Sequence, residues 1–409
     1  MSTSDLFAFD AQEETLEFTA DRSSALARLD KFASRSGRHY AAKRNYDFGS
    51  TQRSNVSVLS PWIRHGVISE QDVLSAVLAK HSLQGAEKFI QEVFWRSYFK
   101  GWLEHRPTVW SDYCTQRDLL MDQSPSPDLN VALNGQTGIE CFDHWVRELV
   151  ETGYLHNHAR MWFASIWIFT LKLPWQLGAD FFLKHLLDGD PASNTLSWRW
   201  GAGLHTKGKT YLARPDNIAK YTGNRFDPTG QLSNTAHPLE DEREHPKRAL
   251  NYDLTPTPDD YILLLTDDNV RPDLSTQANP RAAIGLSCAA QRSPSGTSHK
   301  VVAFADDALT NALCEFENSG GIETPATIEA AIIELARASQ TTHVVMSAAP
   351  VGPVADTIAA LVPALAKHGI TLQQKHRPYD SLCWPHATKG FFAMKKQIPS
   401  ILRQLNLAG

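Results

Sequence analysis

Apolar residues recur at three- and four-residue spacing through 72–80, 87–103, 141–151 and 156–173, which predicts helices with one buried face or more. Strand-like alternation is hard to find anywhere in that first half. From about 259 the pattern changes. Short unbroken apolar runs at 261–266, 300–305 and 343–347 predict buried strands, and helix-period segments at 307–316, 325–338 and 354–368 lie between and after them. Buried strands alternating with helices predict a small parallel, doubly wound sheet. The stretch 223–258 is polar and rich in Pro, Thr, Asp and Glu, which predicts a linker or a long surface connection. The expected division is a helical domain over 1–228, a linker over 229–258 and an α/β domain over 259–409.

Tryptophan usage agrees with that division, since ten of the eleven fall at or before Trp200 and only Trp384 lies beyond. A hydrophobic share of 42% supports real cores, while no apolar run approaches the roughly 18 residues of a membrane span. The most apolar stretch, 161–173, is closed early by Lys172 and Pro174. The chain opens Met-Ser-Thr-Ser-Asp, with no pattern of a signal peptide. Its five cysteines (114, 141, 288, 314 and 383) are scattered and show no Cys-x-x-Cys. That argues against a disulfide framework, zinc or an iron–sulfur cluster, and for a reducing cytoplasm. A net charge of −5 gives no general attraction to nucleic acid, and residues 1–222 carry 24 basic against 25 acidic side chains. A DNA surface would need local clustering, for which Arg35, Arg38, Lys43, Arg44, Arg53, Lys207, Lys209 and Arg214 are the candidates, with plain solvated charge as the alternative.

Three segments carry chemistry that an ordinary core does not ask for. Residues 188–200 read Asp-Gly-Asp-Pro-Ala-Ser-Asn-Thr-Leu-Ser-Trp-Arg-Trp. Residues 156–161 read His-Asn-His-Ala-Arg-Met, placing Asn157, Arg160 and Met161 on one helix face. Glu92, Trp95 and Arg96 repeat that spacing. Planar walls with donors and acceptors at their rim suit a buried aromatic cofactor. Ser57, Ser60 and the Ser54–Asn55 pair precede a predicted helix with Pro61 in its first turn, a geometry that serves either phosphates or a plain N-cap.

These blocks, with Leu59-Ser60-Pro61-Trp62-Ile63 and Thr137-Gly138, resemble the flavin-binding domain of the photolyase–cryptochrome family, in its order and over about residues 20–228. The resemblance implies a mainly α-helical FAD-binding domain plus a smaller Rossmann-like α/β domain at the C-terminal end. It implies FAD contacts from Tyr40, Ser57, Leu59, Ser60, Glu92, Arg96, Asn157, Arg160, Asp188, Asp190 and Asn194. Arg160 and Asp188 would pair beside the flavin ring, Asp190 would face its pyrimidine edge and Asn194 its N5. Glu92, Trp95, Asn157, Met161 and Trp200 would hold a flipped-out cyclobutane pyrimidine dimer, by stacking and hydrogen bonds. Trp198 and Trp175 match the first two members of the electron relay, while its third falls near Leu133, which is not easily oxidised. The phosphate loop departs from the family too: Val56-Ser57-Val58-Leu59-Ser60 stands where the family has Thr-Ser-Arg-Leu-Ser, and Arg53 or Arg44 would have to supply the missing charge.

The expected function is therefore light-driven repair of UV-damaged DNA, single- or double-stranded, by a lyase acting as a monomer without a membrane. The rival is a cryptochrome-type photoreceptor that binds flavin and repairs nothing. Residues 264–269 and 380–398 resemble the opening and close of the family's antenna domain, which usually comes first. An antenna chromophore in the C-terminal domain is one reading, and an unrelated nucleotide-binding-like or structural module is the other. Residues 203–210 fit the Walker A pattern letter for letter, but Trp-Arg-Trp precedes them and Pro215 follows, the wrong context for a P-loop. His39, His65, His144, His156, His158 and His205 show no metal-ligand spacing, so no metal is expected.

Overall fold

A computed structural model describes residues 17–123, 126–241, 243–274 and 279–407. The opening Met-Ser-Thr-Ser-Asp lies outside the described residues. The first half is helical: α1 (Arg22–Ala33), α2 (Arg38–Lys43), α3 (Ser60–Arg64), α4 (Glu70–Leu78), α5 (Glu87–Glu104), α6 (Thr108–Met121), α7 (Pro127–Leu133), α8 (Glu140–Thr152), α9 (Asn157–Ser165), α10 (Trp175–His185), α11 (Pro191–Gly201) and α12 (Pro215–Tyr221). Local chemistry sets their ends. Ser69 and Asp72 form a capping box at the start of α4. Gly153 stops α8 in the left-handed region at φ 69°. Asp190 caps α11 by accepting from the Ser193 N–H, with Pro191 at the first turn. The predicted helix over 156–173 is α9 continued by a π-turn at Ile166–Thr170, a local bulge of the kind often seen near functional sites.

Among the described residues the second half carries five strands: β1 (Ile262–Thr266), β2 (Ala282–Leu286), β3 (Ser319–Glu323), β4 (His343–Ser347) and β5 (Thr371–Lys375). All pair in parallel, in the order β3-β2-β1-β4-β5. Helices α13 (His299–Leu313), α14 (Ile328–Ser339) and α15 (Pro353–Ala366) are interleaved with them, and α16 (Pro378–Cys383), α17 (Phe391–Lys395) and α18 (Ile398–Gln404) close the chain. One predicted strand is corrected: 300–305 lies inside α13. A five- or six-residue apolar run does not separate helix from strand. The residues beyond it do, because Val301, Phe304, Ala305, Ala308, Leu309 and Ala312 make one buried helical stripe.

The two faces of the sheet differ in their partners. Ile262, Leu264, Ile284 and Met346 pack under α14 and α15. Leu263, Leu265 and Ala283 instead join a core that includes α13, the C-terminal helices and residues of α1, α4 and α5. A further helical core gathers α6 and α8 to α11. The described residues between Tyr221 and Ile262 form no helix or strand, yet they are strapped to the helical body: Asp241 accepts from Arg199 at 2.8 Å and the Arg248 guanidinium donates to the Glu104 carbonyl at 2.9 Å.

Candidate flavin and lesion site

Helices α9 and α11, with the loop before α11, bring Arg160 and Asp188 together. Arg160 Nη2 lies 2.9 Å from Asp188 Oδ2, and its Nε donates to the Leu155 carbonyl. The other Asp188 oxygen is buried and accepts no hydrogen bond among the described residues. A buried carboxylate oxygen without a donor is costly, so it marks a place for one. Asn194, one turn into α11, donates its amide N–H to the Ala179 carbonyl at 2.8 Å. That bond fixes which way the amide points and leaves its carbonyl oxygen as the acceptor on offer. These two groups fit the N–H-bearing edge of a reduced flavin. Asn194 is helical and buried.

Asp190 is more enclosed than expected. Its Oδ2 lies 3.6 Å from Arg96, 3.7 Å from Lys100 and 4.0 Å from Arg64. Burial alone would raise its carboxyl, but those three charges outweigh burial and hold it below the usual carboxylate range. Arg64 also pairs with Asp268 at the end of β1 and donates to the Gly189 carbonyl at 2.9 Å. Glu70 closes the network with Arg96 at 3.4 Å and with Arg377 at 2.9 Å. Arg64, Glu70, Lys100 and Asp268 were not singled out from sequence. Lys100 stands one turn after Arg96 on α5, a spacing that could have found it; Arg64 and Asp268 meet only through the tertiary fold.

The predicted phosphate loop is partly committed to the protein. Arg28 donates to the Ser57 carbonyl at 2.9 Å, and Asn55 donates to the carbonyls of Lys43 and Tyr46. Ser57 and Ser60 are half-buried, Leu59 is buried and caps α3 without a side-chain bond, and Val58 sits at φ 55°, a strained value for a β-branched residue. The arginines expected to replace the missing loop charge are both paired, Arg53 with Glu148 and Arg44 with Glu92. Arg53 and Arg160 flank the buried Tyr154 ring, 4.5 and 5.2 Å from its centroid. Tyr40 is buried edge-on against Phe32 and Phe89.

The expected lesion walls are placed unevenly. Burial raises the Glu92 carboxyl above its usual range, with Arg44 opposing. Trp95 is half-buried and stacks on Phe391 of α17, centroids 3.9 Å apart and planes 13° apart. Trp200 stacks on Tyr211 at 5.8 Å. Asn157 is exposed at the start of α9, and Met161 is half-buried one turn on. Trp198 is buried against Phe182 and Trp167, and Trp175 against Tyr113. The Walker-like segment forms turns after a helix, with no strand before it. Lys207 and Lys209 are exposed on those turns, close in sequence to Trp200. Asp112, Asp241 and His245 gather within 4.8 Å of one another, a trio the sequence reading did not contain, and the two acids face Arg243 and Arg199.

Residues 89–237 match the family model described as the FAD binding domain of DNA photolyase. That segment is therefore similar to the flavin-binding domain of photolyases. A deoxyribodipyrimidine photo-lyase of Streptomyces griseus is 35% identical over 177 residues, 42% of this chain and 37% of that protein. A chloroplastic/mitochondrial cryptochrome DASH of Ostreococcus tauri is 31% identical over 231 residues, 55% of this chain and 41% of that one. The chain thus spans less than half the length of both relatives. The crystal structure of a bacterial class III photolyase from Agrobacterium tumefaciens aligns with a TM-score of 0.42 at 28% identity, over 50% of this chain and 43% of that one. No described helix is long and apolar enough to cross a membrane.

Proposed function

We propose that this chain holds FAD between α9 and α11 and uses light to reverse cyclobutane pyrimidine dimers in UV-damaged DNA. The observation that carries the reading is the Arg160–Asp188 pair, with its unsatisfied Asp188 oxygen beside an oriented Asn194, inside the segment that matches the FAD-binding domain. Bound, reduced and excited by blue light, FAD supplies one electron to the lesion and takes it back. The chain's own part is positioning. Arg160 places a positive charge beside Asp188. Asp188 and Asn194 accept N–H groups from the flavin edge. Glu92, paired with Arg44, offers its carboxyl group to hydrogen-bond the lesion. Trp95 and Trp200 offer stacking faces, and Lys207 and Lys209 meet DNA phosphates. The setting is the cytoplasm, where the free cysteines persist. An antenna chromophore in the α/β domain, if one binds there, would add light capture alone.

A second reading, a flavin photoreceptor without repair, is favoured by two observations: Phe391 already covers a face of Trp95, and Arg44 already occupies Glu92. One experiment separates the two. Chemically reduced protein is illuminated with a thymine-dimer oligonucleotide, and base absorbance is followed against a dark control. Recovery that is lost in Glu92→Ala and Trp95→Ala, with flavin still bound, supports repair. No recovery from fully reduced, flavin-loaded protein assigns the chain to the photoreceptor reading.

A further inference from the structure

The relay assigned by resemblance stops at Trp175, because position 133 offers a half-buried leucine. Two aromatic routes lead away from Trp198. One goes to Trp167 at 6.3 Å and ends inside the molecule, since Trp167 is fully buried against Phe142 and Phe163. The stacked Trp145–Trp162 pair is likewise fully buried, its indoles donating to Asp47 and Asn217. The other route goes outward. Trp198 packs against Gly178, one turn after Trp175 on α10. The Trp175 ring lies 5.6 Å from Tyr113, and Tyr113 lies 5.4 Å from Trp110, with interplanar angles of 31° and 37°. Tyr113 and Trp110 are one turn apart on α6. Trp110 lines a cavity of about 530 Å³ where α6 meets α14 and α15, together with Cys114, Arg117, Glu329, Asp356 and Leu361.

We propose that Tyr113 and Trp110 complete the electron relay, and that the cavity beside Trp110 admits the small reductant that refills it. This rests on the flavin reading above. FAD bound here, oxidised and excited by light, would supply the oxidant, and Trp198 gives up one electron. The vacancy passes to Trp175, crosses Tyr113 and settles on Trp110. One electron from a small thiolate or enediol in the cavity fills it. No covalent bond of the protein forms or breaks.

The charges around the rings favour that direction. Arg199 lies 5.9 Å from the Trp175 centroid and Arg117 lies 5.5 Å from that of Tyr113, so positive charge is disfavoured on both. Among the described residues no such cation–ring contact involves Trp110. The Tyr113 hydroxyl is buried and donates to no acceptor among the described residues, and burial with the Asp180 charge pushes its pKa well above the ordinary phenol value, Arg117 opposing. With no acceptor hydrogen-bonded to its hydroxyl to take the proton, Tyr113 serves as a bridge and Trp110 as the resting place.

Flash photolysis of FAD-loaded protein tests this, after flavin absorbance has shown that the cofactor is bound. If no variant and no wild-type protein binds FAD, the flavin reading fails, whatever the relay. With flavin bound, Trp110→Phe should lose the slow-decaying tryptophan radical and its quenching by added dithiothreitol. Tyr113→Phe should slow the radical's appearance. Trp110→Tyr keeps a ring in place and should convert the electron spin resonance signature from tryptophan to tyrosine. Trp102→Phe, beside His205, should leave every signal as it was. Wild-type radical yield, spectrum and thiol dependence in Trp110→Phe or Trp110→Tyr would overturn the proposal.

Discussion

Gly178 shows how one missing side chain organises the middle of the helical domain. A Cβ there would enter the Trp198 ring and lie 2.9 Å from Trp167. Gly178→Ala is expected to destabilise the protein by about 1–3 kcal/mol through overpacking, read from the urea midpoint, with a matching shift in tryptophan fluorescence. His156 makes a second prediction at this scale. Burial lowers its pKa to about 4, with Asp47 opposing and with Arg53 and His158 adding to the depression. The unfolded chain takes a proton near 6.5, the folded one only near 4, so stability falls as pH drops between those values. The loss from this one residue is on the order of 3 kcal/mol, and His156→Gln should flatten the melting temperature against pH between about 6.5 and 4. Asp188→Asn should release flavin, measured by absorbance after desalting, because the pair with Arg160 loses its charge.

The elements that were legible in sequence are those whose apolar pattern lasts several turns. Helices α5 and α8 carry that pattern for 18 and 13 residues. Strands β1 and β4 were legible as runs of large apolar residues, whereas the equally buried β2, Ala-Ala-Ile-Gly-Leu, is diluted by small residues. Strand β3, Ser-Gly-Gly-Ile-Glu, and strand β5, Thr-Leu-Gln-Gln-Lys, are half exposed at the sheet edges, and their polar residues gave no apolar run to find. For the site, the Arg160–Asp188 pair was legible as a motif. What covers Trp95 was not, because Phe391 lies almost three hundred positions away along the chain and no local spacing joins them. The turn after α11 belongs to this scale as well. Lys207 and Lys209 are exposed there, so Lys207→Glu with Lys209→Glu should weaken DNA binding across sequences. The slope of log affinity against log salt should fall by about 1 to 2 units for duplex DNA.

At the scale of the whole molecule, buried charge joins the helical part to the sheet. Arg64 is 2% exposed, pairs with Asp268 and lies near Asp190, while Arg377 bridges Glu70 and Asp380. Breaking such a network by removing one partner costs far more than the network contributes when intact, because the remaining charges stay buried. Arg64→Met is expected to lose about 3 to 5 kcal/mol of stability in equilibrium denaturation, and both halves should unfold together. Separate transitions for near-ultraviolet signals of the helical part and for Trp384 would contradict the shared core.

That shared core also bears on synthesis. Phe391 completes the stack on Trp95, and α16 to α18 complete the apolar cluster that includes Leu29 and Phe32. A ribosome adding roughly 5–20 residues each second delivers Phe391 some fifteen to sixty seconds after Trp95. For that interval the nascent helices present unfinished apolar surface, and their burial waits for the last residues to emerge. Chains truncated before α16 should therefore bind chaperones and precipitate, however well their flavin segment is preserved.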